Sequence, residues 1–401
     1  MRPATDGTEG LAAIAATEDR YEIPIYNRRG IALVRGRGVW LWDADGRRYL
    51  DMMSNYGVNV LGHAHPAVTA AIAEQAGILL SCHQSFYSDA RARFLQKLES
   101  LLPDGLRRVS FANSGAEAVE AALKYARLAT GRHRVISTKR GYHGRTLGAL
   151  SVTGETKHRS AFEPLLPGCE QVPYGDAEAL AGCIKGAAAF IVEPVQGESG
   201  VRPAAEDYLR EVRGLCDESG AVLIFDEVQT AFRTGRTWGL EHSGVVPDVM
   251  TLAKPLANGL PVGATVVTDA VSNAIKPGSH GSTFAGNPLV MAAGIATLEA
   301  LAAPGFNDHV ATVGKVFVDR LEAIDSPLIR EVRGLGLMVA VELKRNATPI
   351  LQAMQNEGVL AIPAGSTVVR FLPPLIIGEE EVMKAVEVLH RALETAEIAS
   401  N

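Results

Sequence analysis

Apolar positions along the chain keep two rhythms. Residues 67–80, 90–102, 116–130 and 207–219 repeat at the helical period, with Val119, Ala122, Leu123 and Ala126 on one face of the third segment. Between them stand short apolar runs at 109–111, 134–137, 187–192, 221–225 and 249–253. Such alternation predicts βαβ units and an α/β fold with a mainly parallel central sheet. After Phe284 the rhythm changes. Helical patterns at 289–301 and 310–324 precede strand-like 337–343, a helix over 348–357, strand-like 368–372 and a terminal helix from Glu379. That part predicts a smaller α+β domain. Near the start, runs at 39–42 and 48–50 flank Asp43-Ala44-Asp45-Gly46 and read as a hairpin, while residues up to about 20 read as a tail or short helix. The expected organisation is an N-terminal segment, 1–60, joining the small domain, a large domain over 61–290, and the small domain over 291–401.

Composition changes this picture little. At 401 residues the chain exceeds one small core, so two or three domains are expected. A net charge of −6 with mixed signs argues against a nucleic-acid-binding surface, and no apolar stretch is long enough to span a membrane. Cys82, Cys169, Cys183 and Cys216 are scattered without CxxC spacing, which predicts reduced thiols. The first residues carry Asp6, Glu9, Glu18 and Asp19 and lack a basic-then-apolar signal pattern. A cytoplasmic protein is expected.

Candidate chemistry gathers between residues 221 and 260. The apolar run at 221–225 suits a strand buried on both faces and ends on Asp226 and Glu227, where open α/β sheets bind ligands. A second run, 249–253, delivers Lys254. Burial lowers a lysine's pKa and makes it a usable amine nucleophile. An acid and a lysine so placed fit a pyridoxal phosphate site, and equally a helix-capping acid with a surface lysine. At Asn113-Ser114-Gly115-Ala116-Glu117 a strand turns into a helix, whose free N–H groups could hold a phosphate. Ser114-x-x-Glu117 is also an ordinary capping box. Gly36-x-Gly38 lacks the strand before and helix after that a dinucleotide fingerprint needs. His63 and His65 have no neighbouring acid or cysteine in sequence to complete a metal set, and read as loop and helix-capping residues.

Six motifs in one order then carry a resemblance: Asn113-Ser114-Gly115-Ala116-Glu117-Ala118, Gly141-Tyr142-His143-Gly144-Arg145-Thr146, Glu193-Pro194-Val195-Gln196-Gly197-Glu198, Asp226-Glu227-Val228-Gln229-Thr230, Leu252-Ala253-Lys254 and Gly281-Ser282-Thr283-Phe284-Ala285-Gly286-Asn287-Pro288. From about Tyr21 to the last helix the chain resembles the class III (ω-) aminotransferases, which have the type I pyridoxal-phosphate transferase fold. Within the class it is most similar to acetylornithine aminotransferases and their relatives in lysine biosynthesis, through 248–264, 281–288, 331–338 and Val369-Arg370-Phe371-Leu372-Pro373-Pro374-Leu375.

The resemblance implies pyridoxal 5'-phosphate as cofactor, with Lys254 its covalent anchor and proton carrier and Asp226 the partner of the ring nitrogen. It implies Ser114, Gly115 and Ala116 at the phosphate, Tyr142 and Val228 on the two ring faces, Gln229 at the ring hydroxyl, and Glu227 among the cofactor contacts. Thr283 is implied to reach the phosphate of a neighbouring subunit, with Ser282 facing substrate, hence a homodimer with shared sites. Arg370 matches the arginine that grips 2-oxoglutarate or glutamate, Glu193 the acid that pairs with it while the amine donor is bound, and Arg145 the distal carboxylate's contact. The implied reaction moves the terminal amine of N-acetylornithine, or a similar blocked diamino acid, to 2-oxoglutarate. Ornithine, 4-aminobutyrate, acetyl-lysine or carrier-linked lysine are alternative donors, and an aminomutase on the same fold is an alternative of another class. Two departures stand out. Ala231-Phe232-Arg233-Thr234-Gly235 is one residue shorter than the relatives' usual Gly-Phe-Gly-Arg-Thr-Gly, and Tyr142 replaces a frequent phenylalanine.

Overall fold

The computed structural model describes residues 10–398. Its central sheet has seven strands, in the order Leu106–Ala112, Gly263–Thr268, Val249–Leu252, Val222–Asp226, Ala189–Val192, Val135–Thr138 and Cys169–Val172. The last five run parallel to one another, and Gly263–Thr268 is antiparallel to both its neighbours. The mainly parallel sheet is therefore as expected, with one inserted antiparallel strand that the apolar runs did not single out.

Both faces of this sheet are covered, which is why its strands read as unbroken apolar runs. Val222 and Ile224 pack with Val119, Ala122 and Ala126 of helix Gly115–Thr130. Leu223 and Phe225 face the other way, into the core that holds Tyr208, Leu209 and Val212 of helix Glu206–Ser219. Each fully buried side chain of this size contributes about 1.5–3 kcal/mol. Parallel pairing sets Asp226 beside Thr251, so both strands end at one edge and Lys254 follows two residues past its strand.

The small domain is a four-stranded antiparallel sheet, ordered Ile329–Leu335, Met338–Leu343, Val368–Phe371 and Ile362–Ala364, packed with helices Phe306–Glu322, Thr348–Asn356 and Glu379–Ile398. The N-terminal segment adds to it. Strands Leu33–Arg37, Trp40–Asp43 and Arg48–Asp51 form a sheet closed by Val359–Leu360, parallel to Arg48–Asp51. The 39–50 hairpin is present, Leu41 facing Tyr49.

One boundary moves. Helix Pro288–Leu301 packs on Pro66–Ala76 and Asp89–Glu99, so it belongs to the large domain, not to the domain expected from 291 onward. Gly294 leaves room for the Phe94 ring at that crossing, where any Cβ would collide.

Candidate active site

A cavity of about 260 Å³ opens at the carboxyl edge of the central sheet. Gly115, Ala116, Tyr142, Arg145, Glu193, Asp226, Val228, Gln229 and Lys254 all line it, nine of the residues the sequence singled out. Gly115 is the first residue of the 16-residue helix Gly115–Thr130, so unpaired N–H groups face the cavity. A Cβ on Gly115 would sit 2.8 Å from Val228 Cγ1, and only glycine lets the helix start so close to that side chain.

Ser114 has the capping role. Its Oγ accepts from Glu117 N–H at 3.2 Å, and Glu117 Oε2 accepts from Asn113 N–H at 2.7 Å. The hydroxyl is thus engaged by its own helix and does not line the cavity, against the expected cofactor contact. Glu227 is a second correction. Fully buried, its carboxylate accepts from Gly239 N–H at 2.9 Å, Leu240 N–H at 2.7 Å and the Thr230 hydroxyl. It braces the 227–240 loop away from the cavity, and burial pushes its pKa up to about 7.

Asp226 is held by a residue whose part was not foreseen. Oδ2 lies 2.7 Å from His143 Nδ1, and Oδ1 accepts from Val228 N–H at 3.1 Å. Burial opposes the imidazolium, yet the Asp226 hydrogen bond and charge outweigh it and raise the His143 pKa. His143 stands in the quoted Gly141–Thr146 motif, but nothing in sequence ties it to an acid 83 residues on. Lys254 is buried, which drives its pKa down to about 8, with Glu198 pulling up and Arg370 pulling down.

The expected Glu193–Arg370 pair is not formed. Arg370, fully buried on Val368–Phe371, grips Glu198: Nη1 donates to Oε1 at 2.9 Å and Nη2 to Oε2 at 3.1 Å. Glu193 instead accepts from Tyr142 N–H at 3.0 Å and Gly197 N–H at 3.4 Å, and burial lifts it to about 7. The reason is the short ribbon Val195–Gln196/Arg202–Pro203, which turns the chain so that the second acid of the motif, not the first, faces the arginine. Burial alone would raise Glu198, but Arg370, Lys254 and the hydrogen bonds bring it down to about 2. Gln229 sits beside this pair, Nε2 donating to Glu198 Oε1 at 3.4 Å.

Arg145 is exposed at the mouth, with Nε donating to Tyr142 Oη at 3.3 Å. Ser282 and Thr283 lie outside this cavity. Ser282 Oγ accepts from Asn113 Nδ2 at 2.9 Å, and Thr283 is exposed. The shortened loop is a tight buried turn. Phe232, at φ 61°, donates its N–H to Thr237 O at 2.7 Å, and Arg233 N–H reaches Thr230 O at 3.1 Å. His63 Nε2 lies 2.7 Å from Asp51 Oδ2, an acid near only in space, while His65 stands at a helix N-cap without a side-chain capping bond.

These residues fit a phosphorylated pyridine aldehyde. A helix start opened by Gly115 suits the phosphate, a histidine-held carboxylate suits a protonated ring nitrogen, and a buried amine suits the aldehyde. Comparison with known proteins agrees. Residues 25–393 match the model of the family described as aminotransferase class-III. The chain is 48% identical over 383 residues to the [LysW]-aminoadipate semialdehyde transaminase of Deinococcus radiodurans, covering 94% of this chain and 89% of that one. It is 44% identical over 375 residues to the acetylornithine aminotransferase of Methanocaldococcus jannaschii, covering 91% and 94%. The ornithine aminotransferase structure from Toxoplasma gondii superposes with a TM-score of 0.93 at 33% identity, over 98% of this chain and 96% of that one. The chain belongs to the class III aminotransferases, enzymes dependent on pyridoxal phosphate.

Proposed function

We propose that this aminotransferase moves the terminal amine of N-acetylornithine, or a similarly blocked diamino acid, to 2-oxoglutarate, giving a semialdehyde and glutamate. The observation that carries the reading is the bidentate Glu198–Arg370 pair beside Lys254. An arginine that must bind an α-carboxylate in one half-reaction, and face a donor lacking one near its reacting carbon in the other, would be a buried unpaired charge half the time. An acid that covers it avoids that penalty. The exposed guanidinium of Arg145 at the mouth supports assigning it the donor's distal carboxylate.

Bound in the cavity, pyridoxal 5'-phosphate supplies an electrophilic aldehyde and an electron-accepting ring. The chain's residues do the rest. Gly115 and Ala116 N–H groups would hold the phosphate, with Tyr142 and Val228 as the candidates for the ring and Gln229 for its hydroxyl. Asp226, fixed by His143, would keep a proton on the ring nitrogen. Lys254 would hold the aldehyde and would carry the proton at the substrate's reacting carbon. Donor and acceptor use the site in turn, a ping-pong order.

The enzyme is read as a cytoplasmic homodimer with shared sites. Thr283 and Ser282 do not line their own chain's cavity. Beside them lies an apolar surface: Phe86, Tyr87 and Phe284 are exposed, and Arg91 ties their loops together through Phe86 O at 2.9 Å and Gly286 O at 3.0 Å. Such a patch fits a second copy of the chain, which would receive Thr283 at its phosphate.

A donor panel tests the substrate, with kcat/KM read for acetylornithine, ornithine, acetyl-lysine and 4-aminobutyrate against 2-oxoglutarate. Acetylornithine should lead. A much higher value for 4-aminobutyrate overturns the choice, and turnover without any keto acid would point to an aminomutase. The Deinococcus relative favours a second reading, a carrier-linked aminoadipate semialdehyde, which activity confined to a carrier-bound donor would support.

A further inference from the structure

Glu198 rides on the tip of the ribbon Val195–Gln196/Arg202–Pro203, a piece of the large domain embedded in the small one. Val195 and Val201 pack among Met338, Ala340, Val368 and Leu372 of the small-domain sheet. The tip is wound tight: Gly200 and the buried Val201 have φ of 100° and 53°. Across the sheet, Arg333 stands opposite Ala340, and Ala340 opposite Arg370. Facing residues of adjacent strands share a side of the sheet, so two arginines project from one row with only an alanine between them. Both reach the ribbon. Arg370 takes the Glu198 carboxylate, and Arg333 Nε donates to Gly200 O at 2.9 Å.

Arg333 is itself braced. Nη1 donates to Glu342 at 2.7 Å and also contacts Glu331. Glu342 in turn takes Arg202, from the ribbon's second strand, at 3.1 Å, with Arg330 at 3.6 Å. The Arg333 and Glu342 side chains are only 8% and 14% exposed. Buried charge-assisted pairs of this kind hold geometry more than they add stability.

We propose that Arg333, braced by Glu342, is a positioning residue that sets how readily Glu198 lets go of Arg370, and so how the enzyme divides between an amine donor and a dicarboxylic acceptor. This rests on Glu198 being the acid that covers Arg370. For the cover to have two discrete states, the side chain must swing while the ribbon stays put. Arg333 holds the backbone two residues past Glu198. Without it the left-handed tip relaxes, the carboxylate drifts from Arg370, and the arginine stands uncovered in both half-reactions.

The test uses Arg333→Met, Arg333→Lys and Glu342→Gln holoenzymes. It reads kcat and KM for each half-reaction, and glutarate binding through the absorbance of the bound cofactor. The expected result is glutarate bound about threefold or more tighter, a donor KM raised about tenfold with kcat little changed, and a glutamate KM unchanged or lower. Unchanged glutarate binding and donor KM overturn the proposal. So does an equal loss in both half-reactions with a lowered Tm, the mark of a merely structural pair. If Arg333→Met does not fold, Arg202→Met, on the outer side of the same cluster, together with Glu342→Gln decides. A wild type that accepts no terminal amine would sink the substrate reading alone, because the glutarate arm still judges the clamp.

Discussion

Burial sets the character of Lys254 in the cavity and of Glu227 beside it. Lys254, driven to about 8, offers a free amine two pH units or more below an ordinary lysine at 10.5. Cofactor capture by the apoprotein should therefore quicken as pH rises through about 8 and then level off, followed by the growth of visible absorbance. Lys254→Ala should show no such band. Glu227 has the opposite sign. Its folded pKa is raised from 4.5 to about 7, so the stability it confers is full below its unfolded value and is lost as pH rises toward 7. Glu227→Gln, neutral throughout, should flatten the fall of Tm between about pH 5 and 7, and an unchanged slope would refute the assignment. Removing the support of Asp226 by His143→Phe should cost on the order of tenfold or more in kcat, with donor KM little altered. At this scale the sequence spoke clearly where a residue type is demanded by chemistry, as at Lys254, Asp226 and Gly115. It was silent where the third dimension chooses among like residues. Glu193 and Glu198 stand five apart in one motif, and only the ribbon's turn says which meets Arg370. His143, in a loop, gains its meaning from an acid at the end of a distant strand.

Among elements, the helices and buried strands were legible because burial on two faces leaves a continuous apolar trace and burial on one leaves a periodic one. The ends of elements shifted by a few residues, as fraying and caps do. Helix Pro288–Leu301 was visible as a helix, but its partners were not, since an Ala-rich helix buried nearly all round carries no stripe pointing to one domain. Where elements touch backbone to backbone, glycine decides. Gly314, within helix Phe306–Glu322, faces the Gly336 carbonyl so closely that a Cβ would overlap it. Gly314→Ala should lower stability by about 1–3 kcal/mol, read by denaturant titration, while leaving the glutamate KM of the folded fraction intact.

For the whole molecule the testable claim is the shared site. Mixing inactive Lys254→Ala with Thr283→Ala under conditions that exchange subunits should restore activity, because each hybrid contains one site with both residues intact. No recovery, with exchange verified by mass, would place Thr283 outside the neighbouring site. Tyr87→Glu should shift the sedimentation of the protein toward monomer and remove activity with it. Arg233 shows how far apart in sequence the molecule's joints lie. Its buried guanidinium donates to Pro373 O at 2.7 Å and, at 3.4 Å, to Leu337 O, Ser54 Oγ and Gly57 O, so the shortened loop ties the N-terminal segment to the small domain.

The inserted strand Gly263–Thr268 also fixes an order of events. Leu106–Ala112, which runs into the Asn113–Ala116 turn at the cavity, has that strand as its sheet neighbour, and Gly263 lies directly against Ser114 O. On the ribosome, the turn is synthesised long before the strand that seats it. Arg48–Asp51 waits longer still, for Val359–Leu360. Entropy charges little more for closing such long loops than short ones, but the search is slow and leaves apolar edges bare meanwhile. A nascent chain of this protein can capture its cofactor only once most of its length has emerged, and until then those edges are the natural footholds for a chaperone.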